Sequence, residues 1–406
     1  MRVLIAGAGI GGLVLAHGLR TAGIEVEVHE RDDDLASTAG YRLHLDGPAV
    51  DVLGRLIPVK TFEAVLASAA GAESFSQFAV LDRRMRLVVR LPLDGPPGDL
   101  LIGRRPLRTL LTRGLDDCVC WGSTVHSARI VDGGQVRVTV EPGPDRTVDL
   151  MVAADGARSS IANTLAGAQI ARRLRAWGLA GRSALTAPVR ESLPADLKKG
   201  PAFAAGPGGT LLFLSTHDAA NTAAVAKDPV DLGAIVEEPF VLWGFTIAHR
   251  PFIGQPNPAR LLATARGIAS TFSPEVNRLV GGAQPDSVAA YRYYAADPAV
   301  PMSFGQAGPI TAIGDAVHPM PPTGGRGAAT AIRDAGELTD ALARAARAEI
   351  TPVDAIRQFQ LQMIGYATAA VRESLEPLRA QRYLRGPAVS MLTLAGAMRG
   401  QWRPRS

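Results

Sequence analysis

Six residues near the N-terminus, Gly7-Ala8-Gly9-Ile10-Gly11-Gly12, constrain the fold more than any other feature of this 406-residue chain. They follow Arg2 to Ala6, an apolar run with the length and composition of a buried parallel strand. Behind them an apolar helical pattern runs through Leu13, Leu15, Ala16 and Leu19 and stops at Gly23. Ile24 to His29 then alternates branched and charged residues as a second strand and closes on Glu30. Each glycine has a mechanical reason. Gly7 permits the tight turn, Gly9 lets backbone approach a pyrophosphate, and Gly12 lets the helix pack against the strand. The helix N-terminus offers unpaired N–H groups and a partial positive charge to the phosphates. Glu30 stands where a carboxylate can accept both hydroxyls of a ribose. A glycine-rich turn alone can be purely structural, but strand, glycines, helix, strand and terminal acid in succession indicate a dinucleotide site.

Composition removes several other classes. Hydrophobic residues make up 47% and charged residues 20%, which excludes disorder and provides a sizeable core. No uninterrupted apolar run approaches the roughly 18 to 20 residues of a membrane helix. MRVLIAGAG enters glycines without the apolar stretch of a signal peptide, so a cytoplasmic location is expected and no membrane partner. The net charge of +5 is scattered, and arginine carries almost all of the positive charge, so a nucleic-acid surface is not expected. Cys118 and Cys120 lack a second Cys or His pair at ligand spacing and read as strand residues, with no metal expected.

A second constellation decides which dinucleotide. Pro309 to Ile313 reads as a strand, followed by Gly314-Asp315-Ala316-Val317-His318-Pro319-Met320-Pro321-Pro322. Thr323-Gly324-Gly325-Arg326-Gly327 then opens a helical pattern through Ala331, Ile332, Ala335, Leu338 and Leu342. An Asp just after a strand can accept from ribityl hydroxyls, a proline-rich loop makes a stiff wall, and a glycine-led helix start comes close to a flat polar edge. A third segment, Val148 to Ala154, is an apolar strand ending in Asp155-Gly156-Ala157-Arg158-Ser159.

Together these segments resemble the flavin-dependent aromatic hydroxylases of the p-hydroxybenzoate hydroxylase type. Glu30-Arg31-Asp32, the strand Arg42 to Gly47 and the helix start Ile102-Gly103-Arg104 add to the likeness. They look closest to tetracycline-inactivating and antibiotic-tailoring monooxygenases. The resemblance implies an α/β fold: a Rossmann-like FAD-binding domain, an inserted antiparallel-sheet substrate domain and a long C-terminal helix. It implies noncovalent FAD, with NAD(P)H as a transient co-substrate and no separate nicotinamide domain. The implied cofactor residues are Gly7, Gly9, Gly12, Glu30, Arg31, Arg42, Arg104, Asp155, Asp315, Pro322, Gly325 and Gly327. The implied reaction uses NAD(P)H and O2 to insert one oxygen atom into an aromatic or polyketide-like small molecule. No residue is singled out as catalytic; His318 reads as a packing or hydrogen-bonding residue.

Two motifs depart from the family pattern. Ala162 stands where the middle motif has an arginine, and Arg326 and Ala329 stand where the glycine-rich helix start usually has Gln and Asn. They motivate an alternative, an FAD-binding cyclase or isomerase in which flavin is a structural wall. The expected cofactor domain is discontinuous, at 1–70, 98–170 and 290–345, with a substrate domain at 71–97 and 171–289 and a helical segment at 350–406. Phe213, Trp243, Phe245 and Pro319 are candidates for the substrate wall. Thr351 as N-cap and Pro352 begin an amphipathic helix expected to run to Leu375, before Pro377, and to brace the two domains. The stretch from Arg399 to Ser406 is polar and expected to fray.

Overall fold

The structure is a computed structural model of the chain. It describes all residues except 39, 41, 71–75, 93–97, 219–232, 249, 255, 301–307 and 384–406. The stretch from Arg399 to Ser406 lies outside the described residues. The first elements are β1 (Arg2–Ala6), α1 (Ile10–Thr21), β2 (Glu25–His29), β3 (Arg42–Leu45), α2 (Gly47–Leu56) and α3 (Val59–Ser68). Next come β4 (Gln77–Leu81), β5 (Leu87–Pro92), β6 (Leu100–Gly103), α4 (Arg104–Leu111), β7 (Val119–Cys120) and β8 (Thr124–Ile130). They are followed by β9 (Val136–Glu141), β10 (Arg146–Val148), β11 (Leu150–Ala153), α5 (Ser160–Ala166), β12 (Arg172–Ala184) and α6 (Ala187–Ser192). The remainder comprises β13 (Ala202–Ala205), β14 (Leu211–His217), β15 (Phe240–Ile247), α7 (Pro258–Ala269), α8 (Pro274–Gly281), β16 (Ala289–Ala295), β17 (Ile310–Ala312), α9 (Gly327–Ala346) and α10 (Pro352–Tyr383).

Two sheets organise the molecule. The first is parallel, in the order β17-β11-β1-β2-β7. Its central strands are apolar on both faces because α1 and a separate antiparallel sheet, β10-β9-β8, pack against them, so Val3, Leu4 and Ile5 are fully buried. On α9, Ile332, Ala335, Leu338 and Leu342 fall at helical spacing and are also fully buried, each leucine contributing about 1.5–3 kcal/mol of burial. This sheet draws strands from residues 2–29, 119–153 and 310–312. Its order, with β1 between β2 and the sequence-distant β11, is Rossmann-like.

The second sheet has seven strands, β16-β12-β15-β14-β13-β4-β5, antiparallel except where β13 pairs with β4. One face packs against α7 and α8 in a second core that holds Trp177, Leu212, Leu214, Trp243 and Phe245. β16 belongs to this sheet, so its chain segment runs to Ala295 rather than ending at residue 289. β3 and β6 form a separate two-stranded antiparallel sheet, and Arg42 of β3 reaches Ser215 of β14.

α10 begins as expected, with Asp354 N donating to the Thr351 side chain at 3.1 Å. It does not stop before Pro377. The proline lacks the N–H of one helical bond, yet the helix continues to Tyr383. Beyond it, the buried Gln381 side chain donates to the Gly209 and Thr246 carbonyls of the second sheet region. Tertiary bonds there outweigh the local break. α10 also packs against α9, so it spans both units. No helix among the described residues is long and apolar enough to cross a membrane.

Candidate functional site

The glycine motif forms a cradle. Gly7 has φ +109°, and a Cβ there would lie 2.5 Å from the Ala154 carbonyl oxygen. A Cβ on Gly12 would lie 2.1 Å from the Gly7 carbonyl oxygen, so strand and helix touch through backbone. Gly9 faces open space. It is also the N-cap of α1, whose first turn has no capping side chain and no acidic residue, so the N–H groups there are left for a ligand.

Glu30 lies beside this turn and is 7% exposed. Its Oε2 accepts from Ala8 N at 2.9 Å and from Arg108 at 2.8 Å, and its Oε1 accepts from Asp32 N at 3.1 Å. Arg108 also donates to the Ala8 carbonyl at 2.9 Å, to Thr38 at 2.9 Å and to Asp32 at 3.2 Å. Sequence reasoning chose Arg104 from this helix start and passed over Arg108. The signal was available: the two stand four apart, on one face of α4. Arg31 is exposed next to Glu30.

Asp155 follows β11 at the edge of the same cradle. Its Oδ1 is buried without a partner among the described residues. Burial pushes its pKa up, while Ser159 and the charge of Arg31 oppose the shift. Ser159 caps α5 by accepting from Ala162 N at 3.0 Å, and Ala162 is fully buried.

Asp315 stands in the turn after β17. Protein surrounds it on most sides and raises its pKa, against the pull of His318 and Arg104, yet its side chain is solvent-exposed. Arg104 has the same character: its surroundings hold its pKa below the ordinary arginine value, with Asp315 opposing, and it too is exposed. A residue both enclosed and wetted lines an open cleft. Gly327, which opens α9, has its Cβ position 3.9 Å from Asp315 Oδ1, and this helix start likewise has no side-chain cap and no acid. Pro322 and Gly325 are exposed nearby. Pro319 is buried, and its carbonyl accepts from Ala296 N at 2.7 Å.

The second sheet closes the cleft through Arg42. This β3 residue donates to the Thr216 carbonyl and to Ser215 Oγ at 3.4 Å, and its Nε is buried without a partner among the described residues. Burial pulls its pKa down to about 10, with Glu237 opposing. Side chains alternate along a strand, so Ser215 shares its face with Phe213 and His217, and that face looks toward the cofactor unit. His217 stacks on Phe240 with centroids 4.9 Å apart, and burial together with Arg42 pulls its pKa down to about 4. Phe213 continues into an aromatic run, 5.4 Å from Phe203, which lies 4.9 Å from Phe78. The same alternation corrects two expectations. Trp243 and Phe245 are 0% and 1% exposed in the core behind the sheet, against α7 and α8, and do not line the cleft. Tyr291 lies close enough to Arg104 to act on its charge and was missed, because nothing local to the sequence fixes which face of β16 turns inward.

A sequence model for an FAD binding domain matches residues 299–354, and one for an NAD(P)-binding Rossmann-like domain matches residues 5–68. The dual O-methyltransferase/FAD-dependent monooxygenase CTB3 of Cercospora beticola is 26% identical over 397 residues, covering 89% of this chain and 44% of the relative. The chain therefore spans under half of that protein. The FAD-dependent monooxygenase phnB of Penicillium herquei is 25% identical over 406 residues, covering 92% of this chain and 89% of the relative. The chain is a homologue of FAD-dependent monooxygenases. A solved structure from Photorhabdus luminescens, described as an FAD-containing monooxygenase, superposes with a TM-score of 0.78 at 27% identity, over 94% of this chain and 98% of that one. The residues fit FAD on the structure's own terms. The open side of Gly9, the orphaned Asp155 oxygen and the exposed Asp315 and Arg104 offer acceptors and donors to such a group.

Proposed function

We propose that the protein is an FAD-dependent monooxygenase that uses NAD(P)H and O2 to insert one oxygen atom into an aromatic or polyketide-like small molecule. The observation that carries this reading is the convergence of distant segments. Asp315 and Arg104 act on each other, Arg104 follows Gly103, which pairs with Arg42, and Arg42 bonds Ser215 on the sheet face that carries Phe213. Bound FAD supplies the redox chemistry between NAD(P)H, oxygen and substrate.

The chain's residues bind and orient. Gly7, Gly9 and Gly12 hold the pyrophosphate, Glu30 the ribose, with Arg31 alongside; Asp155 and Asp315 accept from hydroxyls of the cofactor. Arg42 and Arg104 carry positive charge at the cleft, and Pro322, Gly325 and Gly327 bring the α9 N-terminus to the flat polar edge. Phe213, Phe203 and Phe78 form an apolar wall that excludes water. The cofactor unit comprises 1–70, 98–170 and the region from 310 to 345, with the sheet unit inserted between its parts. The non-redox alternative suggested by Ala162 and Ala329 finds no support among the relatives, which are described as monooxygenases.

The test is anaerobic. The purified protein should be yellow and release FAD on denaturation. Mixed with NAD(P)H and a panel of phenolic and polyketide compounds, its flavin absorbance should bleach and recover on admitting oxygen, with an oxygenated product. Flavin that stays oxidised with every compound and both nicotinamides would overturn the reading.

A further inference from the structure

Asp334 is a fully buried carboxylate on α9 that the proposed chemistry leaves unused. Its Oδ2 accepts from Gly314 N at 2.7 Å and lies 2.6 Å from His318 Nε2, and its Oδ1 accepts from the Tyr366 hydroxyl at 2.7 Å. One carboxylate therefore holds the residue before Asp315, the ring three residues after it, and α10. His318 is 0% exposed, and its Nδ1 has no partner among the described residues. Arg333 covers the Tyr366 ring from 4.0 Å, closing the far side.

We infer that the Asp334–His318 ion pair is a positioning unit for Asp315: it fixes the turn that presents this carboxylate and places a buried cation behind it. The inference rests on the FAD reading and deepens it. A buried cation opposes the protonation that burial of Asp315 favours, and an ionised acceptor makes the stronger hydrogen bond to a cofactor hydroxyl. Burial disfavours the charge on His318, but Asp334 and then Asp315 more than offset it and its pKa is raised. The groups facing the ring are Asp334 from α9 and Asp315 from its own turn. Tyr366 from α10 is held protonated by burial beside Asp334, and Arg104 also acts on Asp315.

The sign follows from these charges. FAD affinity should fall on the acid side as Asp315 gains a proton, and again on the alkaline side as His318 loses one. The experiment titrates the apo-protein with FAD by fluorescence quenching between about pH 5 and 9. The wild type should show both steps. His318→Gln should bind FAD roughly tenfold or more weakly near neutrality and keep only the acid step, since a charge-assisted contact is lost. Asp334→Asn should move the alkaline step to lower pH. A wild-type profile without an alkaline step, or His318→Gln that retains it, overturns the inference; so does Asp334→Asn that lowers the melting temperature while the step stays in place. The wild-type profile decides the matter even where the variants fail to fold. A wild type that binds no FAD at any pH sinks the FAD reading instead.

Discussion

Glu30 and Asp315 both stand at the end of a parallel strand and both face the cleft, but the protein treats them in opposite ways. Glu30 is buried among backbone N–H groups and the Arg108 guanidinium, so its position is set before any ligand arrives. Asp315 is wetted and receives its support at longer range, from His318 and Arg104. Preorganisation is concentrated at one end of the site. The nucleotide end is rigid and internally satisfied, whereas the end near the second sheet keeps charged groups accessible for what binds there.

The sharpest way to break this contrast is at the two arginines. Arg108→Ala leaves Glu30 buried without its ion partner and should cost about 3–5 kcal/mol of stability in urea unfolding. Arg104→Ala, at the wetted end, should cost under about 1 kcal/mol, since it removes an exposed charge. Equal costs would show that both ends are built alike. Within the second sheet, Trp243→Ala should cost about 3–5 kcal/mol by opening the rear core. Phe213→Ala should leave the unfolding midpoint nearly in place and raise the substrate KM. The reverse outcome would place Trp243, not Phe213, on the cleft.

Acid exposes the same asymmetry. His217 binds a proton near its ordinary value of 6.5 when unfolded but only near about 4 when folded. The unfolded state therefore takes up more protons in that window, and stability falls as pH drops through it by about 3 kcal/mol. His217→Gln should flatten that part of the stability–pH curve, and a wild-type slope in the variant would assign it elsewhere. Asp315→Ala should weaken FAD binding by about 1.5–3 kcal/mol with little change in unfolding midpoint, measured by flavin release. Full FAD occupancy in that variant would remove Asp315 from the site.

The nucleotide end was legible because its physics is local. Strand, glycines, helix and Glu30 are consecutive, and the steric demand at Gly7 and Gly12 is imposed by neighbours in the same turn or the adjacent strand. The Asp315 turn and the cap at Thr351 were legible for the same reason. Arg108 was not, since its partners Glu30 and Asp32 lie 78 and 76 residues away. The end of α10 was misjudged because Gln381 is anchored by carbonyls 172 and 135 residues distant, bonds that no local rule about proline contains.

Local sequence dictates that a phosphate-binding turn forms, that a carboxylate follows each of three strands, and that the chain alternates between two sheet types. Backbone sterics and periodicity act over a few residues and leave no choice there. Which face of each strand in the second sheet meets the cleft was decided only by the tertiary structure. A strand offers both faces equally, and only packing of α7 and α8 against Trp243 and Phe245 turned Phe213, Ser215 and His217 toward Arg42.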